Sequence, residues 1–308
     1  MHASVWFWVL FNSFVLLMLV LDLAVFHRQG REIRVREALL WTIFWIGLAV
    51  AFGVIVRVME GSQKALEFAT GYIIEESLSL DNLFIFLLIF RYFKVPGQQQ
   101  HRVLFWGIIG ALLMRGIFIA AGVGLIRRFH WIIYVFGAFL IYTGIRMMFE
   151  KEKEIHPERN PVLGLFRRFF KVTDDYSGGK FLVTREGRRW ATPLLIVLVL
   201  VESTDLLFAT DSIPAVLAIT TDPFIVYTSN VFAILGLRSL YFALAGLMRA
   251  FHYLHYGISA ILVFVGGKMV ASEYWRIPTH LALAIIGAIL AVTILLSVMF
   301  PEKESAAA

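Results

Sequence analysis

The amino-acid sequence predicts an all-α, polytopic membrane protein of about nine transmembrane helices that contains an inverted repeat of three helices plus three. Three observations predict it: nine apolar windows of bilayer length, a one-sided distribution of lysine and arginine between them, and a similarity between segments 69–149 and 191–276. The composition agrees, with 59% hydrophobic and 16% charged residues in 308 and a mean hydropathy of +0.78, outside the range of soluble globular domains. There is no cysteine, which removes disulfides, thiolate metal sites and cysteine nucleophiles from consideration. The formal charge of +6 sits in short segments between apolar runs, where it sets topology rather than binding nucleic acid.

The windows lie at about 3–26, 38–58, 69–93, 103–126, 131–149, 191–220, 224–248, 257–275 and 279–300. Each is close to or above the roughly 20 residues that cross hydrocarbon as a helix. The first opens MHASVWFWVL without a basic n-region or a small-residue cleavage site, and reads as a retained span rather than a signal peptide. Alternate connections carry 19 lysines and arginines on one side and 5 on the other, which places the N-terminus outside and the C-terminus in the cytoplasm. Within this single transmembrane domain the expected divisions are 1–68 (helices 1 and 2), 69–149 (first repeat), 150–190 (cytoplasmic loop), 191–276 (second repeat) and 277–308 (helix 9 and tail). The loop carries LGLFRRFF, a basic aromatic stretch suited to a membrane surface, and GGKFLVTREGRRW, a candidate hairpin. A plain linker with solvated charges is the blander reading of it.

Each triplet of the repeat begins with an acid-bearing helix, continues with a helix holding one central arginine, and ends with a helix rich in Gly and Met with one cation. AFLIYTGIRMM from Ala138 aligns with AILVFVGGKMV from Ala260 at an offset of 122; Arg115 and Arg238 follow at 123. Glu75 and Asp81 correspond to Asp205 and Asp211 at 130. Three crossings reverse direction, so the triplets are inverted, the plan of many secondary transporters whose sites lie near mid-membrane between the repeats.

The chemistry is concentrated in two spans. GYIIEESLSLDNLFIF carries Glu75, Glu76, Asp81 and Asn82; PLLIVLVLVESTDLLFATDSIPAVLAIT carries Glu202, Asp205, Asp211 and Ser212. An acid at the centre of a membrane helix costs roughly 2.5–3.5 kcal/mol, so three in one span cost up to about 10. Glu202 and Asp205 share a helix face, whereas Asp211 lies on the other side. Pro214, and a span that would measure about 45 Å if helical throughout, predict unwinding over 210–214. Six acids against Arg115 and Arg238 leave a net −4 that must protonate, pair or bind cations. Carboxylates, an amide, a hydroxyl and freed carbonyls form an all-oxygen set suited to magnesium, calcium or manganese. A buried salt-bridge network and a proton relay are the competing readings. Lys268 is a counter-ion either to these acids or to Glu273; Thr228, Ser229 and Asn230 either line the path or glue helices.

At GYIIEESLSLDNLF, ATPLLIVLVLVESTDLLFATDSIPAV and TTDPFIVYTSNVFAILGLRSLYF the sequence resembles the TerC family of integral membrane proteins, in particular its Alx-type members, over nearly the whole chain. The resemblance implies a bacterial inner-membrane protein of manganese export and metal homeostasis, with tellurium resistance as a historical label. It also implies that Glu75, Asp81, Glu202, Asp205 and Asp211 are the metal-handling acids, with Glu76 ranked below Glu75. The expectation is therefore a non-enzymatic secondary transporter of Mn(II), its substrate, with no tightly bound cofactor. Its partners are a divalent ion and membrane lipid. No nucleotide-binding motif is evident, so protons or voltage would drive it. A membrane-protein assembly or metallation partner, or an exporter of another divalent cation, is the alternative.

Overall fold

A computed structural model describes residues 5–27, 35–129, 131–149, 171–173, 176–185, 188–247, 253–272, 274–275 and 277–299. Among these residues the chain forms nine long helices: α1 (Val5–His27), α2 (Val35–Glu60), α3 (Ser62–Tyr92), α4 (Gly97–Arg128), α5 (Ile132–Phe149), α6 (Pro193–Leu217), α7 (Pro223–Leu247), α8 (Leu254–Val270) and α9 (Thr279–Met299). Hydrocarbon offers no partner to a backbone N–H or C=O, so apolar segments of this length satisfy themselves as helices. Six of them, α2, α4, α5, α6, α7 and α9, are long and apolar enough to cross a membrane by length and composition. The stretch Val5–Leu21 of α1 and all of α8 are shorter apolar helices, and the 31-residue α3 is interrupted by its acids.

The ends follow local chemistry. Gly61, at φ 91°, reverses the chain between α2 and α3 in a conformation that only glycine adopts cheaply. Pro96 caps α4 and Pro193 opens α6, where a missing N–H costs nothing. Asp222 caps α7, its Oδ1 accepting from the Phe224 N–H at 3.0 Å. The candidate hairpin in the loop is present: β1 (Leu182–Arg185) pairs antiparallel with β2 (Arg188–Ala191). A 3₁₀ turn at Ser177–Gly179 precedes it. The turn is fastened to the α3–α4 connection by Tyr176, whose hydroxyl donates to the Phe93 carbonyl, and by Arg102, which donates to the Gly179 carbonyl. LGLFRRFF lies outside the described residues.

The helix contacts obey the internal repeat. Exchanging α3, α4 and α5 for α6, α7 and α8 maps the principal contacts onto one another: α3·α7 becomes α4·α6, α3·α8 becomes α5·α6, and α3·α6, α4·α7 and α5·α8 map onto themselves. The glycines fix the register. A Cβ on Gly144 would lie 2.8 Å from the Ser259 carbonyl oxygen and 2.8 Å from Val263; one on Gly266 would lie 2.6 Å from the Gly137 carbonyl oxygen and 2.9 Å from Ile141. All three residue pairs, 144/266, 137/259 and 141/263, differ by 122, the offset read from the sequence. α1 and α2 stand outside this pair of triplets. α1 meets α7 through aromatic rings, with Phe11 5.8 Å from Phe232 and 6.0 Å from Phe224 between centroids.

Adding a methyl group where backbone is already in contact overpacks the α5–α8 seam. Gly144→Ala and Gly266→Ala should each lower stability by about 1–3 kcal/mol, read from thermal unfolding in detergent. Gly267→Ala, whose Cβ would meet nothing within 4 Å, should be neutral or slightly stabilising.

Candidate functional site: an arginine shared by two acids

Arg115 of α4 is 1% exposed and lies between the two acid-bearing helices. One guanidinium nitrogen donates to Glu75 of α3 and, at 2.8 Å, to the side-chain Oδ1 of Asn230 on α7, with Ser212 Oγ at 3.4 Å. The other donates to Asp205 Oδ1 of α6 at 3.4 Å. Glu75 and Asp205 are 0% and 3% exposed, so three ionisable groups meet out of water. They meet near mid-helix: Asp205 is the central residue of α6, and Glu75 is two residues from the centre of α3. Along α4 the arginine falls between Leu104 and Ile119, and along α6 the aspartate falls between Val201 and Ala209, residues of two separate apolar clusters. Those clusters keep the surroundings of low polarity, which strengthens the attraction and raises the cost of leaving any member alone.

Two acids against one arginine leave a formal excess of one negative charge. Glu75 Oε1 and Asp205 Oδ2 are both buried and accept no hydrogen bond among the described residues. With Asn230 and Ser212 beside them, the donors within reach are all oxygen, which suits a hard divalent cation.

The other acids stand elsewhere. Glu202, one turn before Asp205, lays its carboxylate against Gly110 of α4, so that any Cβ there would collide with it. Asp211 accepts from the Thr143 hydroxyl of α5 at 3.3 Å. Glu76 hydrogen-bonds with Tyr72 one turn back on α3 and lies close enough to Glu75 to act on it electrostatically. Asp81 lies on α3 but its side chain is outside the described residues. Its neighbour Asn82 is buried, with an amide Nδ2 that has no partner among the described residues. Among the described residues no three acidic or histidine side chains gather closely enough to hold a metal ion.

Three expectations need correction. α6 does not unwind over 210–214; it runs unbroken from Pro193 to Leu217 with Pro214 inside it. An interior proline costs about 3 kcal/mol, whereas unwinding five residues in hydrocarbon orphans several backbone groups at several kcal/mol each. Ser212 to Leu217 are all buried, so no water replaces those bonds. The unbroken helix keeps Asp211 away from Asp205, as the face geometry requires. Arg238 is not among the described partners of Glu75 and Asp205: buried at 3% exposure on α7, it lies close enough to His101, in the second turn of α4, to act on it electrostatically, while the side chain of Asp81 is outside the described residues. Lys268 does not counter the intramembrane acids either. It donates to the Ala218 carbonyl just past the end of α6 at 3.0 Å and faces Glu67; Glu273 is outside the described residues.

Lys268 belongs instead to a cavity of about 430 Å³ at one end of the bundle, lined also by Lys64, Glu67, Ala218, Thr220 and Asp222. Lys64 bridges Glu67 and Asp222, each at 3.0 Å, and Thr220 donates to Glu67 at 2.6 Å. This network ties the start of α3 to the α6–α7 turn. It escaped sequence reading because Lys64 and Glu67 precede the apolar window at 69, and Asp222 falls between two windows, where a charge looks merely solvated. Gly110 and Thr143 were also missed; a small residue four or five positions before Arg115, and a lone hydroxyl in an apolar helix, were the available signals.

Truncating Arg115 leaves two buried carboxylates facing each other. Arg115→Ala should cost about 3–5 kcal/mol in unfolding. Arg115→Met combined with Glu75→Gln and Asp205→Asn should recover most of that loss, because no charge is then left unpaired. An equal loss in both variants would mean that packing, not charge, sets the cost.

Known proteins share this arrangement of sequence. The chain is 49% identical over 292 residues to an uncharacterised membrane protein of Myxococcus xanthus, covering 95% of this chain and 92% of that one. It is 42% identical over 300 residues to Alx of Escherichia coli K12, proposed there as a membrane-bound redox modulator, covering 94% and 93%. With a membrane protein of Rickettsia bellii it shares 39% identity over 292 residues, covering 95% and 97%. No solved structure matches it. The description of integral membrane proteins of the TerC family matches residues 60–305, which take in both triplets, the shared arginine and α9. This chain is a multi-pass integral membrane protein of the TerC family.

Proposed function

We propose that this chain is a secondary transporter that exports Mn(II) from the cytoplasm across the bacterial inner membrane, coupled to protons or to membrane potential. The observation that carries the reading is the Glu75–Asp205 pair: two acids from two inverted repeats, at mid-helix, with one uncompensated charge and two buried oxygens that accept no bond among the described residues. Buried ionisable groups at a repeat interface mark ion pathways in this class of protein.

On this reading Glu75, Asp81, Glu202, Asp205 and Asp211 coordinate the metal or exchange protons with it in succession rather than as one cage. Glu202, Asp205 and Asp211 span about 14 Å of rise along α6, a ladder through the middle of the membrane. Asn82 and Ser212 assist, and Glu76 is peripheral. The oxygen donors exclude none of manganese, magnesium and calcium, and the family resemblance selects manganese among them. The redox role proposed for the Alx relatives fits a redox-active metal better than thiol chemistry, since this chain has no cysteine. The basic connections favour an N-terminus outside and a C-terminus in the cytoplasm.

The test is flux in proteoliposomes that enclose a metal-sensitive dye, with manganese, calcium and magnesium each tried with and without a pH gradient. Manganese should move. Glu75→Gln and Asp205→Asn should slow it by at least the roughly 10–100-fold typical of losing even an outer-shell partner of a metal. Absence of any divalent flux would overturn the reading in favour of a protein that assembles or metallates other membrane proteins.

A further inference from the structure

We propose that Arg115 is a tethered counter-cation, and that the Glu75–Asp205 pair trades it for Arg238 when the protein changes state. The inference rests on the transport reading and on the pseudo-two-fold relation between the triplets. Under that relation Glu75 becomes Asp205 and Asp205 becomes Glu75, so the acid pair maps onto itself. Arg115 becomes Arg238, and Ser212, beside Arg115, becomes Asn82. One acid pair therefore has two arginines related to it in equivalent ways.

The positions of the arginines suit an exchange. Both are buried, and they stand on repeat-equivalent helices that pack on opposite partners, α4 on α6 and α7 on α3. Arg115 lies beyond the middle of α4, and Arg238 three residues beyond the middle of α7. Helices three crossings apart run in opposite directions, so the two guanidiniums approach the acids from opposite sides of the membrane plane. The structure is asymmetric at this point, with both acids on Arg115 and Arg238 beside His101. The cavity opens where α3 begins and α6 ends. An inverted-repeat protein held in one such state has a second in which the triplets exchange roles.

In that second state Arg238 binds Asp205 and Glu75, with Asn82 in the place of Ser212. Between the two arrangements the acids are vacated, and only then does a cation take them. An arginine on the acids in either resting state keeps them from being buried unpaired. The two states are unequal, because Asn230, which holds Arg115, corresponds to Gly107, which has no side chain to hold Arg238.

Because the chain lacks cysteine, single-cysteine reporters need no background correction. Ala218→Cys reports the cavity, and Leu88→Cys reports its repeat-equivalent at the other end of the bundle. Without metal, Arg115→Gln should slow thiol labelling at 218 and speed it at 88, each by about fivefold or more, the range of ordinary coupling between sites. Arg238→Gln should leave the parent pattern or exaggerate it. Should Arg115→Gln fail to fold, Arg115→Lys takes its place, since an ammonium keeps the charge but does not bridge two carboxylates as a guanidinium fork does. Movement of both reporters in the same direction, identical responses to the two arginine variants, or no response would overturn the exchange. Mn(II) added to the reporter proteins tests the transport reading separately. Opposed arginine effects without a metal response leave the exchange standing and count against a manganese site, while a metal response without opposed arginine effects overturns the exchange alone.

Discussion

The structure depends on keeping ionised side chains in a medium that cannot hydrate them. Each acid at the bilayer centre costs roughly 2.5–3.5 kcal/mol, and two unit charges 4 Å apart gain about 4 kcal/mol at an effective dielectric near 20. One arginine touching two acids recovers energy of the same order as their burial, less the repulsion between the acids. The arrangement is stable only with Arg115, Glu75 and Asp205 together, which is why three helices are drawn to a single point. The formal charge of −1 left over is the feature on which the proposed handling of a cation rests.

The remainder of the bundle serves that constraint. The close glycine seam between α5 and α8 fixes the two triplets about their pseudo-axis, and Gly71 of α3 lets Ser229 of α7 approach to where a Cβ would lie 2.9 Å from its hydroxyl. Apolar clusters above and below exclude water from the charged layer. Several hydroxyls within the spans bond back to their own helices, as Ser203 and Thr204 do to the Leu200 carbonyl, and so add polarity with their donors met. Charges that form the second network, Lys64, Glu67 and Asp222, are partly exposed, where a salt bridge contributes little to stability. Their place is to join α3 to the α6–α7 turn at the mouth of the cavity.

Much of this was legible in the sequence. Helix number follows from hydrocarbon thickness, and the pairing of the triplets follows from Ala138–Met148 against Ala260–Val270, whose offset the glycine contacts reproduce. The hairpin in GGKFLVTREGRRW followed from turn residues between β-forming ones. Face geometry separated Asp211 from Glu202 and Asp205 correctly. The reading failed where a local rule met a global one: Pro214 breaks a helix in water, but in a packed membrane interior the backbone has nowhere better to bond, and α6 stays whole.

By itself the sequence determined which elements form, which of them correspond, and that the acids are too many to be idle. These are one-dimensional consequences of bilayer thickness, period and charge count. Which acid meets which cation was decided only in three dimensions, because burial and rotation of each helix set those distances. Two arginines of equal rank in the sequence were divided, one onto the acid pair and one beside His101, and Lys268 went to the rim. The repeat makes two such assignments equivalent on paper, and packing selects one of them.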